Sequence, residues 1–144
     1  MTLNQIKKKL NDLADAHLQI KSFGWGDSWE FEADGGVNAS TMWVIPRGFN
    51  IEAKAITYNF NILFMDLVDK DEANETEVLS DQTLICMDIL SQLDEESESD
   101  DFTIVKNNSA EFFTERFDNE WSGVYIDLGI RVNYLRNNCN IPNE

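Results

Sequence analysis

Apolar and polar positions along the chain follow two rhythms, one helical and one alternating. Leu3, Ile6, Leu10, Leu13, His17 and Ile20 recur every three or four residues, the stripe of an amphipathic helix. Thr2 stands ahead of the stripe and Gln5 three positions on, the pairing of a capping box, in which each side chain accepts from the other residue's backbone N–H. Gly24 and Gly26 in "FGWG" are expected to stop this helix and turn the chain. "DSWEFEA" alternates and predicts a short half-buried strand, with "DGGVN" as a hairpin turn after it. "TMWVIP" predicts a second short strand closed by Pro46, and "RGFNIEA" a loop or bulge.

The clearest alternation comes next. Ile56, Tyr58, Phe60, Ile62 and Phe64 fall on one side; Ala55, Thr57, Asn59, Asn61 and Leu63 fall on the other, followed by Met65 and Leu67. A run of about 15 residues at ~3.4 Å each spans roughly 50 Å. A strand of that length is expected to bend at a bulge or to project into a neighbour. Its second face turns apolar only near the end, which predicts burial on both sides there. Val78, Leu79, Gln82, Ile85, Cys86, Ile89, Leu90 and Leu93 return to helical spacing and predict a second helix over 75–93. "DEESESDD", with six acidic residues in eight positions, is expected to end it as a solvated loop held open by like charge.

"FTIVKN" predicts a strand, and "SAEFFTERFD" fits either a short helix or a bulged strand. In "WSGVYIDLGIRVNYL", Val124, Ile126, Leu128, Ile130 and Val132 face the core, while Tyr125, Asp127, Gly129, Arg131 and Asn133 face out or line a cavity. The pattern predicts an α+β fold: an antiparallel sheet of four to five strands with two helices packed on one face, in the order α-β-β-β-α-β-(β)-β. Residues 1–136 are expected to form a single domain and 137–144 a flexible or partner-docking tail.

Composition narrows the function classes. The chain has 144 residues, 42% of them apolar, including nine Phe and four Trp, which predicts a folded core rather than disorder. Eleven Lys and Arg stand against 27 Asp and Glu, a formal charge of −16. Such a surface repels nucleic acid and anionic membranes. Residues 1–72 carry seven basic and 11 acidic groups, net −4; residues 73–144 carry four and 16, net −12. Cys86 and Cys139 are the two cysteines. Too few for a disulfide framework, they predict free thiols in a reducing compartment, with Cys86 a small core residue. The first twenty residues lack the apolar stretch of a signal peptide, and no run is long enough to span a bilayer.

The acidic corner with Asp66, Asp69, Asp71, Glu72, Glu75 and Glu77 offers many oxygens, but it lacks the glycine and ligand alternation of a calcium loop. It reads as a wet corner before a helix whose N-terminus favours Glu75 and Glu77. His17 is the single histidine and reads as a hydrogen-bonded boundary residue. "GWGDSW" carries no phosphate-binding fingerprint and reads as a turn packed by Trp25 and Trp29. No catalytic, cofactor-binding or metal-binding residues are predicted, and no cofactor. Trp25, Trp29, Trp43, Arg47, Asp69 and Asp71 are candidate interface residues.

"LNDLADAH" (10–17), "FGWGDSWE" (23–30), "MWV" (42–44) and "ILFMDLVDKDEANETEVLSDQTLICMDIL" (62–90) together resemble a family of small virion proteins from tailed bacteriophages related to the crAss-like phages of Bacteroidetes hosts. The resemblance covers roughly the first two thirds of the chain. It implies a tail-terminator or head-to-tail joining fold and a non-enzymatic structural subunit of the neck or tail, assembled in the host cytoplasm as a ring of six or twelve copies. Its partners would be other neck and tail proteins, with DNA passing through the ring unread and no membrane contact. Glu95, Glu96, Glu98, Asp100 and Asp101 are then candidates to face the channel, where carboxylates keep DNA from adhering. The alternative reading is an acidic binding or inhibitor protein that occupies a basic surface of a partner. It predicts tight, salt-sensitive one-to-one binding.

Overall fold

The structure, a computed structural model, describes residues 1–27, 40–68, 74–97, 102–105, 109–116 and 121–133, with backbone alone at 115 and 116. In chain order the elements are helix α1 (Leu3–Ala16), strands β1 (Ser22–Trp25), β2 (Thr41–Ile51) and β3 (Ala55–Leu67), helix α2 (Glu75–Glu96), and strands β4 (Phe102–Ile104), β5 (Ala110–Arg116) and β6 (Trp121–Asn133). The strand expected in "DSWEFEA" and the turn "DGGVN" fall on residues outside those described, as does the tail 137–144.

The capping box forms as its residues predict. The Thr2 N–H donates to Gln5 Oε1 at 2.7 Å, and the Gln5 N–H donates to Thr2 Oγ1 at 3.3 Å. The helix it starts buries Ile6, Leu10, Leu13 and Ala14. Helix α2 buries Val78, Gln82, Ile85, Cys86, Ile89 and Leu93. Both lie on one face of the sheet. There they meet Met42 and Val44 of β2, Phe60, Ile62 and Phe64 of β3, and the even positions 124–132 of β6 in one apolar cluster. Burial pushes the Cys86 thiol up to about 11, so it stays protonated and serves as packing.

The α+β class holds, with two corrections to the sheet. Among the described residues it has six strands rather than four or five, and it is mixed rather than antiparallel. Strands β1-β2-β3-β6 run side by side, and β4 and β5 share the far edge of β6. The extra strand is the "FGW" segment, which does not turn but pairs parallel to Thr41–Val44. Its glycine serves a neighbour: a Cβ on Gly24 would lie 1.9 Å from the Trp43 ring, so only a bare backbone fits beneath the indole. Trp43 Nε1 donates to the Gly26 carbonyl at 3.0 Å, and the chain leaves the sheet at Gly26, where φ is +133°.

Strand β2 likewise does not close at Pro46. It continues to Ile51 through a register shift between Pro46 and Gly48 that leaves Arg47 unpaired. Proline is tolerated because β1 pairs only as far as Val44, so the ring sits at a bulge beyond the reach of that neighbour. The bulge expected in the long strand is therefore in its partner. Strand β3 itself pairs with β6 in unbroken register from Ala55↔Asn133 to Leu67↔Trp121. Its C-terminal half is buried on both faces, as its pattern requires: Leu63 and Met65 join Trp43, Ile45, Phe113 and Trp121 in a second cluster on the side away from the helices. Within "SAEFFTERFD", Ala110–Arg116 forms a strand with a register shift between Phe113 and Arg116, and positions 117 and 118 lie outside the described residues.

Helix α2 outruns its predicted end at 93. Leu93 is fully buried, Lys9 of α1 reaches Glu96 at 3.1 Å, and Ser97 Oγ donates to the Asp94 carbonyl at 2.6 Å. Those contacts keep three acids of "DEESESDD" helical. Among the described residues no helix is long and apolar enough to cross a membrane.

Candidate functional site

On the face of the sheet turned away from the helices, the odd positions of β3 and β6 lie side by side. The register sets Asn61 opposite Asp127, Asn59 opposite Gly129 and Thr57 opposite Arg131. Because successive side chains point to opposite faces, these polar residues share one surface. The bulge in β2 adds Arg47 to it. Arg47, Thr57, Asn59, Asn61, Asp127 and Gly129 line an open groove of about 590 Å³, with Glu52 and Tyr125 at its walls.

Asn61 is the hub. It is 8% exposed, and its surroundings orient the amide. The oxygen accepts from Tyr125 OH at 2.9 Å and from Arg47 Nε at 3.3 Å, while the nitrogen donates to Asp127 Oδ1. A buried amide with every group partnered fixes the side chains around it. At the groove's end Arg131 holds Glu52 at 2.9 Å. Each carboxylate of the groove thus has a partner, and the arrangement reads as a polar brace between strands.

A second groove runs between α2 and the edge of the sheet, lined by Lys21, Ser40, Asp66, Asp81 and Gln82. Gln82 Nε2 donates to Ser40 Oγ at 3.1 Å. Burial raises the pKa of Asp66 above the ordinary carboxylate value. The Leu67 N–H, 2.8 Å from Oδ1, opposes the rise, and the charge of Asp81 adds to it. The folded protein therefore binds the Asp66 proton more tightly than the unfolded chain does, and the cost of the bare carboxylate is felt above the folded pKa. Asp66→Asn is expected to raise Tm at neutral pH and to give no gain below about pH 3.8, the unfolded value. Thermal unfolding at both pH values checks this; an unchanged Tm at neutral pH would dismiss it.

His17 caps α1 and ties it to α2. Its Nδ1 accepts from the Gln19 N–H at 3.1 Å, which leaves Nε2–H to donate to Asp88 at 2.9 Å. Among the described residues no group of three or more His, Cys, Asp or Glu side chains is placed to hold a metal ion.

The predicted interface residues scatter. Trp25 is half-buried, edge-on to Phe60 with centroids 5.7 Å apart, and Lys7 lies 5.4 Å over its ring. Trp43 is turned into the second cluster. Arg47 is exposed in the groove. Trp29, Asp69 and Asp71 lie outside the described residues. Of the channel candidates, Glu95 is exposed on the last turn of α2 and Glu96 is held by Lys9; Glu98, Asp100 and Asp101 lie outside the described residues. Asn61, Tyr125 and Asp127 were legible only as one face of two strands; their meeting depends on a pairing between positions far apart in the chain. No family model matches the chain, and no curated protein matches it.

Proposed function

We propose that the chain is a non-catalytic structural subunit of a bacteriophage neck or tail ring, of the tail-terminator or head-to-tail joining type, that joins head and tail and surrounds the DNA channel. The observation that carries this reading is the far end of the β2–β3 hairpin. Register places Phe49 beside Tyr58 and Ile51 beside Ile56, on the helix side of the sheet. Yet Phe49 is 56% and Ile51 68% exposed, because the hairpin outruns the helices. An apolar surface of that kind on an otherwise strongly charged protein marks a contact with another protein. The braced carboxylates of the polar groove support a scaffolding role, and the acidic last turn of α2 suits a surface that DNA passes without sticking.

Imaging of the native virion tests the reading: a neck or tail ring of six or twelve copies is expected. A strict monomer in concentrated solution, together with virions that lack the ring, would overturn it. The five exposed acids of α2 also keep the inhibitor reading in play, and salt-sensitive one-to-one capture of a basic partner by a monomer would favour it instead.

A further inference from the structure

We propose that the groove between α2 and the edge of the sheet is a calcium site, the ion being held by Asp66, Asp81 and the amide oxygen of Gln82. Gln82 is the starting point. It is 2% exposed, yet it lines this groove beside Ser40. Its Nε2 is committed to Ser40 Oγ at 3.1 Å, while Oε1 is shielded from solvent and accepts from no donor. A buried acceptor without a partner is costly, and native proteins seldom keep one.

The groove's carboxylates are also without a cation. Asp66 Oδ1 accepts from the Leu67 N–H, and among the described residues Oδ2 has no partner and Asp81 makes no hydrogen bond or ion pair. Lys21, the one positive residue lining the groove, donates to the Leu18 carbonyl at 2.8 Å and pairs with neither. Two carboxylates and an amide oxygen form an all-oxygen donor set, which suits a hard cation. Calcium fits better than magnesium: it takes oxygens in flexible geometry, with waters completing the shell, whereas magnesium demands a near-ideal octahedron. An opening of about 380 Å³ leaves room for those waters. Calcium also meets oxygen at ~2.3–2.6 Å, closer than the ~2.9 Å of an ammonium hydrogen bond, so it suits an oxygen closed to water. Burial and the charge of Asp81 make the bare Asp66 carboxylate costly, and a bound cation relieves both. Because Asp81 and Gln82 lie on α2 and Asp66 on β3, the ion would tie the helix to the sheet.

The full chain is titrated with calcium chloride by calorimetry, and its Tm is read in calcium and in chelator, with sodium chloride at matched ionic strength as control. Saturable one-to-one binding is expected, with a rise in Tm of roughly 3–6 °C at ten times the dissociation constant. Asp81→Asn, at an exposed position, is expected to weaken binding about tenfold or more by removing a charged ligand. Asp66→Asn is expected to lose the calcium response yet match or exceed wild-type Tm in chelator, which separates a lost ligand from a lost fold. Gln82→Glu is expected to lower Tm in chelator and to recover it in calcium; no recovery would remove Gln82 from the site. Absence of saturable heat up to millimolar calcium, or an equal rise in Tm from sodium chloride, would overturn the proposal. So would calcium binding undiminished in both Asp variants, which would put the ion elsewhere on the acidic surface. None of these results bears on the ring reading.

Discussion

Phe64→Ala is expected to lower the free energy of unfolding by about 3–5 kcal/mol, the range for emptying a buried aromatic site. Phe64 is fully buried. It stands on the central strand of the described sheet, between Met42 on one side and Val124 on the other, beneath both helices. Neighbours held by three strands have little freedom to collapse into the space, so the cavity cost is added to the lost transfer energy. Because single domains are stable by only about 5–15 kcal/mol, the loss takes a large share of the total. Phe49→Ala is the internal control: the same residue type on the same side of the sheet, but mostly exposed, and expected to change stability by no more than about 0.5 kcal/mol. Urea titration of both variants gives the comparison; similar midpoints would mean that the central cluster does not hold the fold.

The second large effect is expected at Gly123. Its Cβ would lie 1.9 Å from the Phe64 carbonyl oxygen and 2.7 Å from the Met65 Cα. Both are backbone atoms of a strand fixed on its other side by β2, so no rotamer change relieves the clash. Gly123→Ala forces β3 and β6 apart where their register is continuous, and a loss of about 3 kcal/mol or more is expected, in the class of severe backbone effects. Denaturation of the purified variant measures it. A stability within about 0.5 kcal/mol of wild type, the range of a neutral surface change, would show that the strands separate there without cost.

These two sites also mark what could be read in advance. The alternation of Phe60, Ile62 and Phe64 and of Val124 through Val132 identified the helix-side core directly, because a long strand repeats its signal many times. Thr2 and Gln5 announced the helix start through a local exchange of hydrogen bonds. Gly123 gave no such signal: its need for a bare Cα comes from a neighbouring strand more than fifty positions away in the chain. The same holds for the first strand. Four half-buried residues containing a glycine carry no alternation, and what makes them a strand is the indole of Trp43 lying across Gly24. Pro46 misled for a related reason. It breaks a strand that needs its N–H, and the sequence alone does not reveal that β1 has already ended. The polar groove was half legible: Arg47 stood out, while Asn61, Tyr125 and Asp127 were assigned only to outward faces.

The unpaired Arg47 divides β2 into halves of opposite parity. Up to Ile45 the even-numbered side chains point toward the helices; from Gly48 onward the odd-numbered ones do. The outer half of the hairpin is thus indexed independently of the inner half. Removing Arg47 alone would make Pro46↔Phe60 and Gly48↔Asn59 successive pairs of an unbroken ladder, with Phe49 and Ile51 still on the helix side and Asn50 on the groove side. The extra residue therefore aims a cation into the groove without changing which face the hairpin's end presents.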